Sequence, residues 1–226
     1  MRAFRRAFKS SIPVLFGYVP LGVAFGLLFN TLGCPWFYAG LSGLVVFAGS
    51  AQFLCVNLLA AHASLAAIFF ATLSLNLRHM FFGFSMFHRF PENRWLKPYL
   101  IFGLTDETYS VLTATKLENR REDERFCLWV TFLNHSYWVL GCALGGLLGS
   151  RFRFDTRGFD FVLTALFVVL ALEQAFAVKR AFPFVIAGAA GAAALKICPK
   201  QMLPFSLAIV FAILLGKSLQ TEDKDG

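Results

Sequence analysis

The chain has 226 residues, 58% of them hydrophobic, including 28 Phe, with a mean hydropathy of +0.64 and a formal net charge of +8. Most of its apolar runs have no polar face, which excludes an ordinary soluble domain and points to an all-α polytopic membrane protein, since helices are the default spanning structure in lipid. The positive charge does not indicate nucleic acid. It is clustered at Arg2–Lys9, Arg89–Lys97, Lys116–Arg125 and Arg151–Arg157, between candidate spans, where Lys and Arg anchor loops to a lipid bilayer and bias topology.

Taken in order, the chain offers about seven to eight transmembrane segments. The first, 11–30, follows the basic stretch Arg2–Lys9 and reads as a retained span with a cytoplasmic N-terminus, because no convincing cleavage site follows. Pro20 stands at its centre, flanked by Gly17, Gly22 and Gly26. Segment 38–61 has Gly49, Ser50 and Gln52 at mid-depth, poor choices for a helix that only faces lipid.

Segment 63–87 carries Asn76, Arg78 and His79 near its middle. At 100° per residue Thr72, Asn76, His79 and Gly83 share one stripe, while Ser74, Arg78 and Ser85 lie nearly opposite. Such a helix either bridges two polar environments or breaks near Asn76–His79. Segment 98–115 is centred on Thr105, Asp106 and Glu107, and either spans or forms a re-entrant hairpin. Segment 126–149 contains Asn134, His135 and Ser136. Segments 159–178, 181–197 (with its run AGAAGAAA) and 201–218 complete a single transporter domain over 1–218, and 219–226 is a polar tail.

Four successive segments thus place a helix-breaker or a costly polar group at one depth. A midplane charge costs about 2.5–3.5 kcal/mol on insertion scales, so Arg78, Asp106 and Glu107 are strong functional candidates, with a structural ion pair as the alternative reading. Eight full spans would leave twelve basic residues on the cytoplasmic side and eight on the other, a weak bias of the expected sign. A faint two-fold repeat relates YVPLGVAFGLL (18–28) to YWVLGCALGGL (137–147) and suggests halves 11–115 and 126–218. An even number of spans per half makes the repeats parallel; a re-entrant 98–115 would make them inverted.

The five cysteines are scattered without metal-ligand spacing, and no GxxxxGK[ST], G-x-S-x-G or HExxH motif occurs. The expectation is therefore no enzyme, no metal and no cofactor. An amino-acid zwitterion needs donors for its carboxylate, acceptors for its ammonium and an apolar pocket. Arg78 or a freed half-helix N-terminus, Asp106 or Glu107, and the abundant Phe residues match these in turn. His79 and the two carboxylates are also residue types of proton relays.

GYVPLGVAFGLL (17–28), VFAGSAQF (46–53), SLNLRHMFFGFS (74–85) and LTDETYSV (104–111) together closely resemble the AzlC family, the large subunits of branched-chain amino acid exporters. The resemblance implies export of valine, leucine, isoleucine and similar analogues across a bacterial inner membrane. It also implies proton coupling and a small AzlD-type membrane subunit. It places family motif positions at Gln52, Asn76, Arg78, His79, Asp106 and Glu107. With Pro20, Gly49, Ser50 and Thr105 from the depth argument, these form the expected site: Pro20, Gly49, Ser50, Gln52, Asn76, Arg78 and Thr105 for substrate, and His79, Asp106 and Glu107 for protons. A proton- or ion-conducting channel on the same polar centre is the alternative, and a membrane-embedded enzyme a weaker third class.

Overall fold

A computed structural model describes residues 2–152, 168, 172, 182–197, 205–206, 209–210 and 213. Among the described residues there are eight α-helices, one 3-10 turn and no strand. They are α1 (Arg2–Phe29), α2 (Phe37–Val45), α3 (Gly49–Ala60), α4 (Leu65–Met86), α5 (Leu96–Phe102), α6 (Asp106–Ala114), α7 (Arg120–Arg151) and α8 (Phe182–Ile197). The expected segments 159–178 and 201–218 lie almost wholly outside the described residues, as does the tail 219–226. The chain divides into two units, 1–62 with 75–163, and 63–74 with 164–226.

The first unit is built on α1 and α7, which pack side by side and run parallel. Phe4 meets Trp129, Tyr18 meets Trp138, and Asn30 donates to the Gly146 carbonyl, so the register advances together along both helices. Glycines make the approach close. A Cβ on Gly22 would stand 2.9 Å from the Gly141 Cα, and one on Gly145 would fall on the Val23 carbonyl oxygen. The sequence places the buried stripe of α1 at Ser11, Val14, Tyr18, Gly22 and Phe25, spacings of three and four that keep one face toward α7. We call the end where α1 and α7 begin the amino end, and the other the carboxyl end.

Segment 38–61, drawn from sequence as one span, is two helices. α2 descends from the carboxyl end antiparallel to α7, with Gly40 against Ala143 and the Leu44 carbonyl on His135. The backbone then breaks at Val46–Ala48, where Phe47 takes the left-handed φ of 41° that non-glycine residues seldom adopt. α3 turns back: Gln52 lies on Trp138, Phe53 on Phe25, and the helix passes beside the 3-10 turn Asn30–Leu32.

Segment 98–115 is likewise a broken hairpin, inserted from the amino end. α5 rises to Gly103, α6 leaves at Asp106, and both outer ends lie with Phe90, Ala7 and Phe126 in one amino-end core. With two hairpins that both turn back, the helices preceding α7 no longer invert it, which is why a re-entrant 98–115 coexists with parallel α1 and α7. α4, by contrast, is unbroken through Asn76–His79, so the break considered there does not occur. α1 also runs continuously through Pro13 and Pro20. α1 and α4 are long and apolar enough to cross a membrane.

In the second unit, Ala190 and Ala194 of α8 are buried four residues apart, a small-residue face of the kind that lets helices approach closely.

Candidate functional site

The two hairpin tips meet within the first unit, halfway along α7. Phe47 at the first tip lies 6.2 Å from Phe102 at the second, and both rings pack on His135. His135 ties the hairpins together through Nε2, 3.2 Å from the Leu44 carbonyl, and Nδ1, 3.4 Å from the Tyr99 hydroxyl. Broken backbone at membrane depth is tolerated only where protein or a polar cavity covers it. Phe47, Gly103, Leu104 and Thr105 are accordingly buried.

Each break frees the N-terminus of a half-helix. Ala48 offers no side-chain cap to α3, whose first intrahelical bond runs from the Gln52 amide to the Ala48 carbonyl at 2.8 Å. The amides of Gly49, Ser50 and Ala51 therefore lead the helix without an intrahelical acceptor. At α6 the Thr105 hydroxyl caps the Thr108 amide at 3.2 Å, and Asp106 and Glu107 occupy the first turn, where carboxylates favour the helix dipole.

Arg78 of α4 touches both half-helices. Its Nη2 lies 2.9 Å from Asp106 Oδ2 and donates to Ser50 Oγ at 3.3 Å. Its Nε is buried without a hydrogen-bond partner. Beside this cluster the Tyr18 hydroxyl donates to Glu107 Oε2 at 2.6 Å and lies 2.6 Å from Thr105 Oγ1. Thr105 bonds Thr108 at 3.0 Å, and Thr108 accepts from Asn134 Nδ2 at 3.0 Å. Asn134 is fully buried, and its Oδ1 has no partner.

Of the expected site residues, Ser50, Arg78, Thr105, Asp106 and Glu107 come together here. Gln52 is engaged inside the first hairpin: Oε1 accepts from Trp138 Nε1 and the Ala48 amide, and Nε2 donates to Ser42. Gly49 packs under Trp138, where a Cβ would stand 3.0 Å from the ring. Pro20 is exposed, on the face of α1 turned away from Tyr18. Asn76 and His79 share a stripe of α4 away from Arg78; Asn76 Oδ1 is buried without a partner, and the His79 ring stands edge-on to Phe82. Sequence reasoning left Tyr18, Thr108 and Trp138 out of the site. The available signal for Tyr18 was its hydroxyl at mid-helix on the three-four buried stripe.

A second polar cluster lies at the amino end. Arg89 holds Asp123 through two bonds of 2.8 and 2.7 Å, and also donates to the Leu112 and Thr115 carbonyls that end α6. Burial alone would raise the Asp123 carboxyl, but the hydrogen bonds from Arg89 and the Leu117 amide outweigh it and hold it below its usual value. Among the described residues no group of His, Cys, Asp and Glu is arranged to hold a metal.

The sequence profile of the family described as AzlC protein matches residues 13–152, which include both hairpins and the polar cluster. The chain is 40% identical over 172 residues to the branched-chain amino acid transport protein AzlC of Bacillus subtilis (strain 168), covering 76% of this chain and 68% of that one. It is 39% identical over 174 residues to an uncharacterized membrane protein of Helicobacter pylori (strain ATCC 700392 / 26695), covering 77% and 76% of the two chains. An uncharacterized membrane protein of Haemophilus influenzae (strain ATCC 51907 / DSM 11121 / KW20 / Rd) is 30% identical over 219 residues, covering 95% and 82%. No solved structure matches.

Proposed function

The chain belongs to the AzlC family, and from that premise we propose that it is the large subunit of a secondary transporter. It exports branched-chain and similar aliphatic amino acids across the bacterial inner membrane, driven by the proton gradient, together with a small AzlD-type membrane subunit. The observation that carries the reading is the single guanidinium of Arg78 lying against the first turns of two half-helices. Half-helix N-termini are positive dipole ends, and transporters use them to hold substrate carboxylates. The carboxylate sits between Arg78 and the leading amides of α3. The ammonium is held by Asp106 and Glu107, and the Phe47 and Phe102 tips supply apolar walls.

Glu107 and His79 carry the coupled proton, with Tyr18 holding Glu107 in place. Gln52 and Trp138 position the first hairpin without touching the substrate. The repeat that relates 18–28 to 137–147 sets its matched glycines, Gly22 with Gly141 and Gly26 with Gly145, face to face across the seam of the parallel helices α1 and α7. Charge supports a cytoplasmic amino end. Among the described residues of the first unit it holds four basic residues of Arg2–Lys9, three of Arg89–Lys97 and four of Lys116–Arg125, while Arg151 alone stands at the carboxyl end. This asymmetry has the orientation of the positive-inside rule.

Replacing Arg78 with Gln abolishes efflux of labelled leucine from loaded cells while membrane insertion and size-exclusion behaviour remain normal. Normal efflux in Arg78→Gln would sink the assignment. Flux that fails to saturate with leucine would instead favour an ion channel on the same polar centre.

A further inference from the structure

Between the central Arg78 and the amino end, α4 and α6 run side by side and in the same direction. Along one stripe of α4, at spacings of four and three, stand Arg78, Phe82 and Ser85, and Arg89 follows in the turn just beyond the helix end at Met86. Each finds a partner on the hairpin. Arg78 meets Asp106, Phe82 stacks on Tyr109 with centroids 4.4 Å apart and planes at 14°, Ser85 Oγ lies 3.2 Å from the Tyr109 hydroxyl, and Arg89 closes on the end of α6. The seam therefore runs from an ion pair at Arg78, through an aromatic stack and a hydroxyl pair, to the Arg89 guanidinium on the carbonyls that end α6.

At its outer end the seam opens into a cavity of about 550 Å³, with Ser85, Met86, Arg89, Lys116, Leu117 and Arg120 among its walls. That volume falls within the range of small-molecule sites, about 300–1,000 Å³. Its chemistry is mixed in a useful way. Asp123 is taken up by Arg89, and Arg120 is paired with Glu124 at 3.1 Å on the exposed face of α7. Lys116 adds a cation at the rim, Glu118 an anion, and Met86 and Leu117 apolar wall. A cation for the carboxylate, an anion for the ammonium and an apolar wall suit a zwitterion with an aliphatic side chain. The Phe82–Tyr109 stack is the aromatic element between this cavity and Arg78.

We propose that this cavity is an outer binding site for the aliphatic amino acid on the amino-end side, and that the Phe82–Tyr109 stack is the barrier the substrate passes between the outer site and Arg78. The inference rests on the transport reading and extends it to residues the central site does not use.

The test measures labelled-leucine flux in everted and right-side-out vesicles that carry the full chain with its membrane partner. Lys116→Gln with Glu118→Gln raises KM for leucine presented from the amino-end side three- to tenfold. KM from the opposite side and Vmax stay within about twofold. Phe82→Ala raises downhill leucine leak several-fold, and Phe82→Leu, which keeps an apolar side chain in place should Phe82→Ala misfold, gives a smaller rise. Tyr109→Phe keeps the stack and leaves the leak at the parent level. Unchanged KM in the double variant, together with unchanged leak in both Phe82 variants, overturns the proposal. If Arg78→Gln is inactive in the same vesicles, that negative result removes the outer site alone; if Arg78→Gln transports normally, the transport reading itself fails.

Discussion

Arg78 and Arg89 show how differently two arginines in one chain can be read. Arg78 stands out in sequence because it interrupts an apolar run at mid-depth, and the structure sets it between Ser50 and Asp106. Arg89 looked like one more loop charge, and so did Asp123. Yet both are largely buried and bound to each other by two hydrogen bonds. A charge among loop charges carries no depth signal, so only the fold could single this pair out. Removing one member of a buried pair leaves an uncompensated charge and costs about 3–5 kcal/mol. Asp123→Asn is therefore expected to lower the thermal midpoint of the detergent-solubilised protein at neutral pH. The sign with pH follows from the depressed carboxyl. Its contribution is present above the unfolded value of about 3.9 and is lost as pH falls through the lower folded value. Wild type and Asp123→Asn should thus converge in midpoint only in strong acid; convergence already at pH 6 would contradict the assignment.

Among elements, the two hairpins decide the site. Their apolar halves were legible, and so were the odd residues at their centres: Gly49 and Ser50 in one, Thr105 to Glu107 in the other. What sequence did not distinguish was a kinked span from a helix that turns back, because both show a polar interruption in an apolar run. The difference lies in what packs beside the break, here Trp138, His135 and Thr131 of α7. Pro20 is the contrasting case. A proline at mid-depth suggests unwound or kinked backbone, and α1 runs on as helix through it with Pro20 on its exposed face. The α1–α7 seam was legible as a pair of glycine patterns, and the contact between those patterns was not. Gly145→Ala drives a methyl into the Val23 carbonyl, and overpacking of this kind typically costs about 1–3 kcal/mol. Gly17→Ala, where a Cβ meets nothing within 4 Å, serves as the control. The first should lose folded yield and thermal stability and the second should not; equal behaviour would remove the seam from the energetics of the fold.

On the scale of the whole molecule, the structure changes which loops share a side. Eight full spans would separate Arg89–Lys97 from Arg2–Lys9 and Lys116–Arg125. In the structure Ala7, Phe90 and Phe126 share one core, and Arg89 reaches Asp123. Single cysteines introduced at Arg5, Glu92 and Arg121 in a background without the native cysteines should therefore all be labelled by an impermeant thiol reagent from the same side of the membrane. Labelling of the Glu92 position from the opposite side would restore the spanning reading of 98–115.

Composition and hydropathy by themselves determined that this is a helical membrane protein, because apolar stretches of this length have no other stable solvent. They also singled out Arg78, Asp106 and Glu107 as candidates, because a charge at mid-depth is costly. Only the tertiary structure decided that two segments turn back, that Tyr18 and Asn134 join the polar centre, and that Arg89 and Asp123 lock its amino end. Those outcomes depend on what lies across a helix interface, and a hydropathy pattern reports the medium a residue faces without naming its neighbour.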